Sequence, residues 1–400
     1  MKEFVVLMAF LMALIALSID AVLPALGLIS EDLSITRAND VQFVVSSVFL
    51  GMAIGTIIYG PLSDAWGRKP ALLTGLILFT IGSVIAYLAD SLAVMLLGRF
   101  IQGLGAGSPR VLTSAIVRDK FHGRQMASMM SMIMGVFILV PALAPTVGQA
   151  IMYIGSWHGI FILYICAGLL AITWQHFRLE ESLPEERRRP LQPAKLWAGF
   201  KEAATTRVTF GYTICSGVIF ASLICYITSA QQIFHEIFQV GDMFAIYFGA
   251  IALAIGAAFF TNAKLVERFG MRKITAAALL CASMGAAILF AHTMLAPPSL
   301  LVFMACASVI FFCMGLTFGN MNAMAMEPMG HIAGLASAFL GAVSSIISLT
   351  LGSTLGQMYN GTLVPLASGF FVFGLMALLV MIWTEKGIPQ EQPENMTSHS

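Results

Sequence analysis

Three stretches of this chain contain no Asp, Glu, Lys or Arg: residues 125–177, 274–326 and 328–384. Each is longer than 50 residues, whereas a helix needs only about 20 apolar residues to cross a bilayer. Each run therefore holds two spans joined by a short turn. In hydrocarbon every backbone N–H and C=O must be satisfied within the protein, so the spans read as helices. Composition agrees: 58% of the 400 residues are apolar, 10% are charged, and mean hydropathy is +0.88. A water-soluble domain of this length needs more polar surface than that. A net charge of +1 offers nothing to attract a nucleic acid.

Hydropathy and turn signals predict twelve spans, at 4–28, 41–62, 71–89, 92–116, 126–150, 155–174, 208–230, 243–263, 272–292, 300–325, 332–357 and 362–383. The first is read as a retained span, because no small-residue cleavage site ends it. An even number puts both termini on one side. If that side is the cytoplasm, 18 of the 21 Lys and Arg residues fall on inner loops and termini. Arg37 alone lies outside, and Arg99 and Arg110 lie within span 4. Residues 1–178 and 208–384 thus form two six-span halves. The polar segment 179–207 reads as a solvated linker, with an interfacial helix from Leu191 to Ala204. The polar tail, 385–400, reads as disordered.

The six cysteines sit in apolar runs without metal-ligand spacing and read as packing residues, and the histidines show no paired spacing. No metal or cofactor is expected. There is no Walker sequence, so ATP does not drive the protein directly. No nucleophile–base set or acid pair suggests an enzyme.

The chain repeats itself. The loop after span 2 reads Gly60-Pro-Leu-Ser-Asp64-Ala-Trp66-Gly67-Arg68-Lys69, and the loop after span 8 reads Ala263-Lys-Leu265-Val-Glu267-Arg-Phe269-Gly270-Met-Arg272. A shift of 203 residues superposes Asp64 on Glu267, Trp66 on Phe269, Gly67 on Gly270 and Lys69 on Arg272. That shift is half the chain, as expected for two parallel repeats about an axis along the membrane normal.

Gly60 to Lys69 resembles the signature loop of the major facilitator superfamily. Arg99-Phe-Ile-Gln102-Gly103-Leu-Gly105-Ala-Gly107 in span 4 resembles the motif of its proton-coupled antiporters. Pro141-Ala-Leu-Ala-Pro145-Thr-Val-Gly148 in span 5 resembles the antiporter motif, with Val140-Pro141 in place of the usual Gly-Pro. Asp20-Ala-Val-Leu-Pro24, Ala115-Ile-Val-Arg118-Asp119 and Glu327-Pro-Met-Gly-His331 are similar to pieces of the Bcr/CflA group of drug exporters. The resemblance implies an all-α membrane protein of twelve transmembrane helices in two pseudo-symmetric bundles. It also implies a drug:proton antiporter of the bacterial inner membrane, working as a monomer among lipids on small amphipathic substrates. An exporter of one metabolite is the nearest alternative; a channel or membrane enzyme fits less well.

An ionisable residue within a span is costly, which makes Asp20 and Arg99 the candidates for proton coupling. At 1.5 Å per residue both lie roughly 10–12 Å below the outer boundary, and the resemblance places spans 1 and 4 on the central cavity. They could face each other there, or form a static packing pair. A second acid that some related antiporters carry two turns earlier is replaced by Met12. Arg110 returns to the same helix face as Arg99 and could attract an anionic group, pair with an acid, or snorkel to headgroups. The resemblance makes Asp64 cap the N-terminus of span 11 when the cytoplasmic side is closed, using the helix dipole. Gly67, Arg68, Arg118, Asp119 and Glu327 join it as gating residues. Met12, Ile15, Gln102, Arg110, Phe220, Tyr226, Met314, Phe318 and Asn320 are the expected cavity residues. Pro141, Pro145 and Gly148 kink and thin span 5, as Gly103, Gly105 and Gly107 thin span 4.

Overall fold

The computed structural model describes residues 2–188 and 193–386. Its described residues are helical almost throughout. The first half contains α1 (Lys2–Asp20), the short α2 (Leu26–Asp32), α3 (Phe43–Trp66), α4 (Arg68–Tyr87), α5 (Leu92–Lys120), α6 (Gly123–Ile154) and α7 (His158–Arg178). A connecting helix α8 (Pro193–Thr205) leads to α9 (Arg207–Gln232), α10 (Phe244–Phe269), α11 (Met271–Leu295), α12 (Leu300–Met326), α13 (Ala333–Gln357) and α14 (Val364–Glu385). Ten stretches are long and apolar enough to cross a bilayer, and one of them, Leu300–Gln357, contains both α12 and α13. Helix α5, which carries Arg99, Arg110 and four glycines, is less apolar and completes the twelve spans. The disordered-tail expectation falls on residues outside those described, beyond Glu385 and Lys386. Residues 189–192, including the start expected for the interfacial helix, are outside them as well.

Span 1 is not the continuous helix expected over 4–28. Helix α1 stops at Asp20, and a 3-10 turn, Leu23–Ala25, leads into α2. Pro24 is the cause: it has no N–H to give to the carbonyl four residues back, which is that of Asp20.

Helix α5 is gripped on two sides. A Cβ on Gly103 would overlap the Val48 carbonyl oxygen, and one on Gly51 the Phe100 oxygen, so α3 and α5 meet backbone to backbone. Gly75, Gly82, Gly98 and Gly105 do the same between α4 and α5. Small residues at such crossings let dispersion and main-chain contacts hold helices together where no hydrophobic drive exists.

The internal repeat has a structural counterpart. Helices α3 and α4 are joined by Gly67 alone, at φ +106°, and α10 and α11 by Gly270 alone, at φ +78°. Both angles lie where L side chains are strained, which explains glycine at both superposed positions. Helices α3, α4, α5 and α7 pack together, and so do α9, α11, α12, α13 and α14, with α10 on α12. Between the two sets the main contacts are α3 with α13 and α6 with α10.

Candidate functional site

A chamber of about 2000 Å³ runs between the two sets of helices. It reaches the ends that carry Asp64, Arg68, Arg118, Asp119 and Lys264, the basic end of the bundle. At the opposite end, where Arg37 lies, neutral side chains close it. Asn39 Nδ2 donates to the carbonyls of Gln357 (3.0 Å) and Tyr359 (2.8 Å), and Gln357 Nε2 donates back to Asn39 O at 2.8 Å. Gln42 Nε2 donates to Gln232 Oε1 at 2.6 Å, Gln232 Nε2 reaches Asn39 Oδ1 at 3.1 Å, and Ser46 meets Ser353 at 2.9 Å. This amide clasp ties α3 and the turn before it to α9 and α13. Among the described residues no ion pair joins the halves at that end.

Asp20 lines the chamber and is only 4% exposed. Among the described residues its carboxyl has no ion pair within 4.0 Å and no hydrogen bond. The Tyr226 hydroxyl lies within electrostatic reach of it, is buried, and is itself without a hydrogen-bond partner. The neighbouring backbone is held from behind: a Cβ on Gly148 would overlap the Ala21 carbonyl oxygen, so α6 lies directly on the break in span 1. Pro141 faces the chamber from the same helix, and Pro145 lies one turn further along it.

Arg99 is placed differently from the expected pairing. It is fully buried and does not line the chamber. Its Nη2 donates to Ser18 O at 2.9 Å, Nε to Val44 O at 3.0 Å, and Nη1 to Gln102 Oε1 at 2.6 Å. The guanidinium therefore staples α1, α3 and α5 through main-chain acceptors and makes no ion pair with Asp20. Gln102, expected on the cavity, is also withdrawn from it, because its amide bridges Arg99 and Ser83 Oγ (2.9 Å). Asn320 likewise turns away from the chamber: it exchanges two 2.9 Å hydrogen bonds with Asn262 on α10. Met12, Ile15, Phe220, Tyr226, Met314 and Phe318 do line it. Phe220 and Phe318 rings sit 5.8 Å apart, and Tyr226 stacks on Phe248 at 5.4 Å. Arg110 also faces the chamber; its Nη1 touches only Met52 Sδ, at 3.5 Å.

At the basic end the residues expected to gate fall into two groups. Arg68 joins Asp64 (2.5 Å), Asp119 (2.9 Å) and Ser63 Oγ (2.7 Å) in the first half. Glu327 lies 3.7 Å from Arg272 in the second, and Arg272 is 4.0 Å from Glu385. Arg118 lines the mouth between them. With the mouth open, Asp64 is held by Arg68 and does not meet the start of α13. Glu181 was not anticipated. It accepts from the backbone N–H groups of Arg68 (2.9 Å) and Lys69 (3.1 Å), capping α4. A carboxylate is favoured at that positive helix end. A Cβ on Gly67 would overlap Glu181 Oε2, a second reason for glycine there. Glu385, 204 residues later, follows the last span as Glu181 follows span 6, and that offset was the available signal.

The comparisons with known proteins agree with this architecture. The chain is 30% identical to the uncharacterized MFS-type transporter YdgK of Bacillus subtilis, over 95% of each chain. It is 28% identical to the bicyclomycin resistance protein homolog of Haemophilus influenzae over 91% of each, and 27% identical to the multidrug resistance protein MdtL of Escherichia coli over the full length of both. In fold it matches the human organic anion transporter MFSD10 (TETRAN) with a TM-score of 0.69, covering 96% of this chain and 99% of that one, at 16% identity. The family profile described as Major Facilitator Superfamily matches residues 8–352. A match from the first span to the eleventh, over relatives that are transporters and not enzymes, leaves no other placement: this chain belongs to the major facilitator superfamily and is a multi-pass membrane transporter.

Proposed function

We propose that this transporter exports small amphipathic, drug-like molecules from the bacterial cytoplasm in exchange for protons. The observation that carries the reading is Asp20, a carboxyl at the blind end of a chamber with no partner of its own. Such an acid, in contact first with one side of the membrane and then with the other, takes a proton from one reservoir and delivers it to the other. The names of two relatives, a bicyclomycin resistance protein homolog and a multidrug resistance protein, support export of drug-like compounds. The apolar, aromatic and methionine-rich wall suits ligands of varied shape.

By the positive-inside rule the basic loops are cytoplasmic, so the open mouth faces the cytoplasm and both termini lie there, in the inner membrane. The halves 1–178 and 208–384 rock about the chamber. As the mouth closes, Asp64 leaves Arg68 for the N-terminus of α13, whose dipole presents roughly half a positive charge. The test uses the purified chain in proteoliposomes with an imposed pH gradient. Uphill movement of a fluorescent amphipathic substrate is expected, and an uncoupler should stop it. Uphill movement that persists on ATP without a gradient would overturn the reading.

A further inference from the structure

The two guanidinium groups within span 4 are treated very differently. Arg99 has three oxygen acceptors from its own chain. Arg110 has one thioether, the Met52 sulfur at 3.5 Å, which is a weak and neutral acceptor. Among the described residues no carboxylate lies within 4.0 Å of it. The acids at the chamber mouth are occupied: Asp64 and Asp119 with Arg68, and Glu202 with His331 at 2.7 Å. Asp20 lies at the level where Arg99 meets Ser18, and Arg110 is eleven residues further along α5, about 16 Å by helix rise. A charge held at membrane depth without a counter-charge is costly and marks a functional position.

Snorkelling does not account for this placement. Side chains on a helix lean towards its N-terminus, and α5 runs from the Arg37 end to the basic end. Arg110 therefore leans away from the nearer headgroups and into the chamber, two turns deeper than Arg118. Hydroxyls flank it on the chamber wall: Ser114 one turn on, and Thr56 one turn beyond Met52 on α3. The facing wall is apolar, with Phe220, Phe318 and Met314. One cationic spot with donors free, opposite an apolar surface, fits a molecule with an acidic end and an apolar body.

We propose that Arg110 receives the acidic group of the substrate, so that this chamber selects amphipathic organic anions over neutral or cationic analogues. The proposal deepens the transporter reading and rests on it for the chamber being the substrate path.

The test compares two fluorescent probes that share one aromatic body, 1-anilinonaphthalene-8-sulfonate and the neutral N-phenyl-1-naphthylamine. Both are titrated against the full chain in nanodiscs of zwitterionic phosphatidylcholine, with empty nanodiscs subtracted. The wild type should bind the sulfonate more tightly, by tenfold to a hundredfold as an order of magnitude for one charge-assisted contact. Arg110→Gln should bind both probes alike, and Arg110→Lys should keep part of the preference. Retained binding of the neutral amine reports that a variant is folded. If Arg110→Gln does not fold, the wild-type order and Arg110→Lys still decide. Equal affinity of the wild type for the two probes, or an undiminished preference in Arg110→Gln, overturns the proposal. No gradient enters this measurement, so lost sulfonate preference counts against Arg110 alone, whereas intact preference without uphill transport counts against antiport alone.

Discussion

Asp20 and Arg99 lie close together in the fold yet answer to different demands. Arg99 holds Ser18, Val44 and Gln102 in place, and its removal leaves buried acceptors without a donor. Arg99→Ala should therefore cost about 2–4 kcal/mol of stability, judged by the usual worth of charged hydrogen bonds, and appear as a lower melting temperature in detergent. Asp20 has no such contacts, so Asp20→Asn should melt like the wild type. If Asp20 is the proton carrier, the same variant should lose uphill transport in proteoliposomes while exchange of substrate down its own gradient survives. Uphill transport by Asp20→Asn at the wild-type rate would return Asp20 to a packing role. Sequence alone marked both residues as costly and put them at one depth, but a helix drawn as a cylinder does not say which face meets the chamber. That is why Gln102 and Asn320 were placed on the cavity, when each has a polar partner on a neighbouring helix.

At the scale of helices, α3, α4 and α5 form a unit with almost no room for change. Gly103→Ala places a methyl against the Val48 carbonyl, which α5 cannot avoid without separating from α3. Overpacking of this kind typically costs about 1–3 kcal/mol, so Gly103→Ala should melt earlier than the wild type. Gly319 faces open space in the chamber, and Gly319→Ala should melt as the wild type does; equal losses in the two would argue against the close approach. The helices themselves were readable, because charge-free runs and turn residues bound each span to within a few residues. The break after Asp20 was not: hydropathy averages through Pro24, and only the missing N–H reveals it. The amide clasp was illegible for another reason. Its partners lie more than 100 residues apart, and neutral Asn and Gln near span ends carry no sequence signal, whereas Glu181 had the offset to Glu385 to mark it.

For the whole molecule, the clasp closes the Arg37 end of the chamber, and under the proposed alternation it weighs on which way the chamber faces. Each of its hydrogen bonds is worth on the order of 1 kcal/mol net, roughly a fivefold change in the balance between the two orientations. Gln42→Ala combined with Asn39→Ala should raise the population open at the Arg37 end, read as longer distances between spin labels on that end of α3 and α13. Unchanged distances would mean that apolar packing, not the amides, holds this end shut. Among the described residues the halves are joined here by amides and hydroxyls, with the Asp242 carbonyl accepting from the Gln149 amide at 3.0 Å, and by no ion pair, while the other end carries carboxylates and guanidiniums. Tyr359, beside the clasp, stays a neutral hydroxyl, because burial and then the Glu236 carboxylate push its pKa above that of ordinary tyrosine. Uncharged contacts are little weakened by dissolved ions, whereas exposed ion pairs are screened. If the Arg37 end faces the medium, the seal on that side should hold alike in fresh water and in brine, and the ionic lock should belong to the side where a cell regulates its own salt.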